Sequence, residues 1–220
     1  MMAKVRLPVW PIAAFLVLVT LALYWPATQC DFVNFDDPDY VSANVHVQNG
    51  LTWESISWAC VSPVVGNWHP VTMLSHMFVC QFFGSNPWGH HLTNVLLHAL
   101  NVALVFALLQ LMTGATWRSL LVAALFAVHP LSVEDIAWVS ERKDVLSAFF
   151  ALLALMAYAR YAQERMQNAE CRMQKPAASN AQPSHVSRFT FHSSRRSSRS
   201  LSSRWRRASR PSWCSSAQAP

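Results

Sequence analysis

Charge is scarce in this sequence. Only 13% of its 220 residues are Asp, Glu, Lys or Arg, where soluble domains carry about 25%. With 53% of the residues hydrophobic, that scarcity excludes an ordinary soluble domain. The chain also lacks any C-x-x-C pair, and its five cysteines (Cys30, Cys60, Cys80, Cys171 and Cys214) are odd in number. A metal or disulfide framework is therefore excluded as the organising principle. Cys60 and Cys80 could pair on an oxidising side, but two unpaired apolar thiols are the plainer reading. No internal repeat with midplane charges is visible, which argues against a pore or transporter fragment. Positive charge is outnumbered in the body. Before Gln163 there are six Lys/Arg against nine acids; after it, eleven against two. The net charge of +6 thus belongs to the tail, and it does not imply a nucleic-acid-binding body.

What is present is apolar length and aromatic residues, with ten Trp and twelve Phe, types that favour membrane interfaces. The expected fold is all-α: a polytopic α-helical membrane protein with about four transmembrane helices. The spans fall at about 7–28, 90–112, 117–131 and 145–161. Residues 1–162 form the membrane domain, with an outer loop at 31–89 that carries short interfacial helices. The first run can cross roughly 30 Å of hydrocarbon at about 1.5 Å per residue. No clean small-x-small cleavage site follows it, so it reads as an uncleaved span rather than a signal peptide. Lys4 and Arg6 precede it, which puts the N-terminus in the cytoplasm.

In the loop, Thr52 is placed to cap a short helix with Trp53 and Ile56 on one face. Residues 68–78 read as a second amphipathic segment, able to lie in the interface. Asn86-Pro87-Trp88-Gly89 is a turn signal. Asn94, His98 and Asn101 share one helix face at i, i+4 and i+7, most simply for hydrogen bonds between helices. The tail, 163–220, is Ser/Arg-rich with no apolar period, and it is expected to be disordered. Its composition suggests a frameshifted or truncated end rather than a binding module.

Two acidic motifs stand out. The first is Phe32-Val33-Asn34-Phe35-Asp36-Asp37-Pro38-Asp39-Tyr40-Val41, directly after the first span. The second begins at His129-Pro130-Leu131-Ser132-Val133-Glu134-Asp135 and continues through Glu141, Arg142, Lys143 and Asp144. Four crossings put both on the outer face and the tail inside. Arg142 and Lys143 then break the positive-inside rule, which suggests pairing or use. Each motif has a plainer reading. Asp and Pro are common in turns, and His129-Pro130 ends a helix because Pro cannot continue one. Met73, Met77 and the Phe residues read as packing.

The two motifs together resemble the N-terminal part of membrane GT-C glycosyltransferases, closest to the transmembrane, TPR-repeat-containing O-mannosyltransferase-like proteins and their bacterial relatives. The resemblance covers about residues 5–162. It implies an integral membrane enzyme, in a bacterial inner membrane, that moves a sugar such as mannose from a polyprenyl-phosphate carrier to a Ser/Thr hydroxyl of a protein acceptor. The family position implies Asp36 as the base, with Asp37 orienting it or the acceptor. Such a reaction needs a carboxylate to take the hydroxyl proton and cations to meet the departing lipid phosphate, where Arg142 and Lys143 stand. Glu134, also a catalytic candidate, and Asp135 would hold His129 or a cation, or lock Arg142. Mg or Mn on Asp36, Glu134 and Asp135 is a further option, since hard cations take oxygen ligands. The family continues with further spans and a TPR solenoid, so four spans alone are expected to be inactive. The alternative is a non-catalytic membrane protein whose outer loop binds a partner.

Overall fold

The structure, a computed structural model, describes residues 9–174. Lys4, Arg6 and the tail from 175 onward lie outside the described residues. Residues up to 162 form one packed unit, and a second begins at Gln163.

Helix α1 (Val9–Tyr24) runs into a 3-10 turn, Trp25–Gln29, and together these form the first apolar span, Val9–Gln29. A cap of short elements follows: a π turn at Pro38–Ser42, α2 (Val45–Gln48), α3 (Trp53–Val61) and α4 (Pro70–Phe83). The second span is α5 (Pro87–Thr113). The third, α6 (Thr116–Ala127) with α7 (Pro130–Ala137), is bent by 53°. A 3-10 turn, Val139–Glu141, then leads into α8 (Arg142–Gln174). Among the described residues three helices are long and apolar enough to cross a membrane, or up to four if the bent pair is one span. The chain is an integral membrane protein whose regular elements, among the described residues, are all helical.

The spans pack through two small cores. Leu16 of α1 meets Val102 and Phe106 of α5 and Ala123 and Ala127 of α6. Nearer the cap, Tyr24, Val95 and Ile136 pack together. The bend at His129-Pro130 follows from proline, which has no N–H to continue the ladder. It leaves the Ala127 carbonyl without a helical partner. Tyr24 donates its hydroxyl to that carbonyl at 3.0 Å, and His98 Nε2 lies 3.3 Å from it. Polar groups in a span must be satisfied from within the protein, and here α1 and α5 supply what α6 lost.

The cap has its own core: Tyr40, Val41, Val47, Ala59, Val64, Met73, Met77 and Cys80, closed by Val139 from the second motif. Met73 and Met77 are packing residues. Thr52 does cap α3, accepting from the Ser55 amide at 3.2 Å. The buried face of α3 is Ser55 and Ala59, however, and Trp53 is 83% exposed. Small side chains let α3 approach its neighbours closely, and a Trp there would hold it off. Cys60 is exposed and Cys80 buried, both as free thiols.

Several boundaries differ from the sequence reading, and the third span, read as ending at 131, runs on to Ala137 as a bent pair. The second span starts at Pro87 rather than 90, because Asn86 caps it by accepting from the Trp88 amide at 3.0 Å. Gly89 sits within that first turn, where a Cβ would come within 2.6 Å of the Phe83 ring; only glycine lets α4 and α5 meet so closely. The last helix starts at Arg142, so Arg142 and Lys143 belong to its first turn rather than to a loop. It runs on to Gln174, so residues 163–174, assigned by composition to the tail, are helical.

Candidate active site

The two acidic motifs meet through Asp37, which is fully buried. Its Oδ1 accepts from the Ser140 amide at 3.0 Å and from the Ser140 hydroxyl at 2.6 Å, and its Oδ2 accepts from the Val33 amide at 2.8 Å. A buried carboxylate costs free energy unless its lone pairs are used; here both oxygens are engaged. Sequence positions 103 apart are thereby tied into one structure.

Asp36, next to this latch, is half-buried. Its carbonyl accepts from the Asp39 and Tyr40 amides just before the π turn, which the Ala43 amide closes by donating to the Pro38 carbonyl at 2.9 Å. Its side chain makes no hydrogen bond among the described residues. Single π turns often occur at functional sites. This one drives Tyr40 inward to 2% exposure, where the ring stacks on His69 with centroids 5.2 Å apart and planes 5° from parallel. Lys143 Nζ lies 5.9 Å from the centroid of the Tyr40 ring, within cation–π range. It also pairs with Glu141 at 2.8 Å. Burial raises the Tyr40 phenol above its ordinary value, against the opposing pull of Lys143 and of a hydrogen bond with Asn67; the Asp36 and Glu141 carboxylates add to the rise. Burial lowers His69, and the Lys143 charge lowers it further. Both groups are therefore held neutral, so the charged groups acting on the Tyr40 ring are Lys143, Asp36 and Glu141.

Asn67 and His69 reach Tyr40 through a tight turn. Val64 and Asn67 exchange two backbone hydrogen bonds, each 2.9 Å, across Val65 and Gly66 at φ 46° and 75°. Both are left-handed, and for a β-branched valine that is a genuine outlier.

Arg142 is not at this mouth. It is fully buried and donates from Nε to Asn94 Oδ1 at 2.7 Å, from Nη2 to the His90 carbonyl at 2.7 Å and from Nη1 to Ser75 Oγ at 3.4 Å. It is directed at these neutral groups on α4 and α5 rather than at Glu134, Asp135 or a site open to a phosphate. Asn94 also donates to the Ile136 and Trp138 carbonyls. Asn101 donates to Val145 O at 2.9 Å. The polar stripe of α5 therefore joins helices.

The rest of the second motif lies apart. His129 is exposed and caps α7, its Nδ1 accepting from the Leu131 amide at 3.3 Å. Asp135 is the exception: half-buried, it holds neither His129 nor Arg142, but it stands within electrostatic reach of Asp144, Glu141 and Lys143. Glu134 is exposed and lines a shallow depression of about 360 Å³ with Val33, Phe35, Ala137 and Trp138. Asp36, Glu134 and Asp135 do not gather into a cation site. Among the described residues no group of three or more His, Cys, Asp or Glu is arranged to hold a metal ion. Asn94 was visible in the sequence by its helical spacing. Tyr40 lay within the first motif without a role of its own; Asn67, His69, Ser75, His90 and Ser140 carried no distinguishing signal.

Behind the mouth lies an unusual basic interior. His76 is fully buried, its Nδ1 3.4 Å from His90 Nδ1, with His90 Nε2 3.6 Å from the Cys80 thiol. Burial first, and then the charge of Arg142 and the neighbours His90 and His69, push His76 well below the usual histidine value. Burial raises the Cys80 thiol to about 11, outweighing the pull of Arg142. A histidine that stays neutral when folded takes its proton only on unfolding. The unfolded state then binds more protons below about pH 6.5, so this contribution to stability is complete above that pH and is lost as pH falls. The thermal midpoint of the chain in detergent should drop between pH 6.5 and 4.5, and His76→Leu should flatten that slope. A profile identical in parent and variant would refute the assignment.

The fold and this mouth define a polytopic helical membrane protein with two acidic motifs latched together at one end of its spans. No family model matches the chain, and no solved structure matches it significantly. Curated proteins do. Protein O-mannosyl-transferase Tmtc2 of Drosophila melanogaster is 32% identical over 157 residues, covering 67% of this chain and 16% of its own length. Human TMTC2 is 30% identical over 152 residues, covering 66% and 18%. Mouse TMTC4 is 30% identical over 165 residues, covering 64% and 22%. The chain is thus a relative of the protein O-mannosyl-transferases, as its motifs suggest, and it spans 16–22% of the length of these three.

Proposed function

We propose that this chain carries the acceptor-activating and donor-phosphate groups of a membrane glycosyltransferase. In this reading a mannose-type sugar passes from a polyprenyl-phosphate carrier to a protein Ser/Thr hydroxyl. Both motifs face the outer side, with the N-terminus in the cytoplasm. The observation that carries the reading is the approach of Lys143 to the ring of Tyr40, four residues from Asp36, with the two motifs tied by the Asp37–Ser140 latch.

The chemistry follows from the two charges. Asp36 accepts the proton of the acceptor hydroxyl. The hydroxyl oxygen forms a bond to the anomeric carbon of the sugar. The bond from that carbon to the phosphate oxygen breaks, and the lipid phosphate leaves with the electron pair. Lys143, 29% accessible along its side chain, meets the resulting charge by exchanging Glu141 for phosphate. Arg142 acts only as framework.

Donor capture tests this independently of turnover. A photoreactive polyprenyl-phosphate mannose, given to membranes containing the chain, should cross-link saturably to the peptide around Lys143, and unlabelled polyprenyl phosphate should compete. Lys143→Gln should weaken capture roughly tenfold, since one hydrogen bond to a charged group is lost. Asp36→Asn should leave capture intact and abolish any transfer to a hydroxyl peptide. No saturable capture, or capture indifferent to Lys143→Gln, would overturn the reading.

A further inference from the structure

We infer that Ser140 is a positioning residue for Asp36. Through Asp37, its hydroxyl and amide hold the Asp36 backbone in register with the start of α8, where Lys143 stands. The role rests on the reading of Asp36 as the base.

Three observations carry it. First, the latch joins two otherwise separate stretches. Ser140 is fully buried, lies three residues before Lys143, and gives both its side-chain and backbone donors to one oxygen of Asp37. The other oxygen of Asp37 takes the Val33 amide, so the carboxylate is clamped from both sides of Asp36. Second, Asp37 stands at φ −58°, ψ −31°, in the helical region, directly before Pro38. Contact with the proline ring disfavours that region for the preceding residue and tilts it towards an extended conformation. The latch opposes that preference. With it released, residues 36 and 37 would swing outward together. Third, nothing else holds the Asp36 side chain, which makes no hydrogen bond of its own among the described residues. Its place is set by its backbone, which is held at its own carbonyl by the Asp39 and Tyr40 amides and, one residue on, by the latch at Asp37.

The test reads the freedom of Asp36 directly in the full chain in detergent. A carbodiimide with a small amine tags carboxylates at rates set by their accessibility, and peptide mass spectrometry resolves the site. In parallel, alkylation of the buried Cys80 thiol reports general loosening of the cap. Ser140→Ala should raise Asp36 tagging about tenfold, the factor carried by one hydrogen bond to a charged acceptor, while Cys80 stays closed. Ser140→Thr, which keeps the hydroxyl, should restore the parental rate. Asp37→Ala, which removes the acceptor altogether, should raise Asp36 tagging at least as far as Ser140→Ala, and the double variant should be no faster than the faster single one, because both act on the same latch. An unchanged Asp36 rate in Ser140→Ala overturns the role. So does a rise in Asp36 and Cys80 together, or a threonine variant no better than alanine. Failure of donor capture would remove the glycosyltransferase reading and leave this geometry standing. Unchanged tagging would remove the positioning role and leave donor capture standing.

Discussion

Arg142→Met is expected to lower the stability of the folded chain by about 2–4 kcal/mol, since each buried acceptor left without its donor costs about 1–3 kcal/mol. Two effects oppose each other at this residue. The guanidinium is fully buried and has no carboxylate partner among the described residues, so removing its charge relieves a desolvation penalty. Against that, Asn94 Oδ1 and the His90 carbonyl each lose a 2.7 Å bond, and Ser75 loses a longer one. We expect the bonds to win, because they tie α4, α5 and α8 at one point, and Met can fill the volume but cannot satisfy the acceptors. For a unit of this size the loss reads as a fall of roughly 5–15 °C in thermal midpoint. Arg142→Lys separates the explanations. The two short bonds leave from different nitrogens of the guanidinium, and a point-like ammonium cannot reproduce that fork. It would keep the buried charge and satisfy fewer acceptors, so it should be at least as destabilising as Met. A lysine variant as stable as the parent would refute this account and would mean that charge alone matters here.

Arg142 also shows where sequence reasoning reaches its limit. Length and hydropathy made the spans legible, because a bilayer imposes both. The helical period placed Asn94, His98 and Asn101 on one face, and His129-Pro130 marked the break between α6 and α7 for a covalent reason. The two acidic motifs could be seen as a pair. What could not be seen is which of their charges is used and which is framework. In sequence Arg142 and Lys143 are adjacent and equivalent. One helical step turns Arg142 into the interior and leaves Lys143 at the mouth. Likewise Asp36 and Asp37 are adjacent, and only the partner at Ser140 tells them apart. That partner is one serine in a serine-rich chain, at a separation of 103, and no local pattern encodes it. The turn that brings Asn67 and His69 to Tyr40 was hidden for a different reason. It places Val65 at φ 46°, where local preference points against the observed conformation and tertiary packing decides.

Asp37→Ala should cost about 3–5 kcal/mol, because three hydrogen bonds to one carboxyl group are removed and a buried hydroxyl and amide are left unpaired. The effect should be graded by chemistry. Asn at this position can still accept from Ser140, but its amide group would face the Val33 N–H, setting donor against donor. Asp37→Asn should therefore fall between the parent and alanine. Asp39→Asn is the control. Asp39 is exposed, two residues away and of the same charge, and such surface changes stay within about 0.5 kcal/mol. Urea or thermal unfolding in detergent, followed by helix signal, would rank the three. Net charge cannot produce that order, since Asp37→Asn and Asp39→Asn remove the same charge. If Asp37→Ala proved as benign as Asp39→Asn, the latch would contribute nothing. The two acidic motifs would then lie side by side without being held there, and the physical ground for treating Asp36 and Lys143 as parts of one site would be gone.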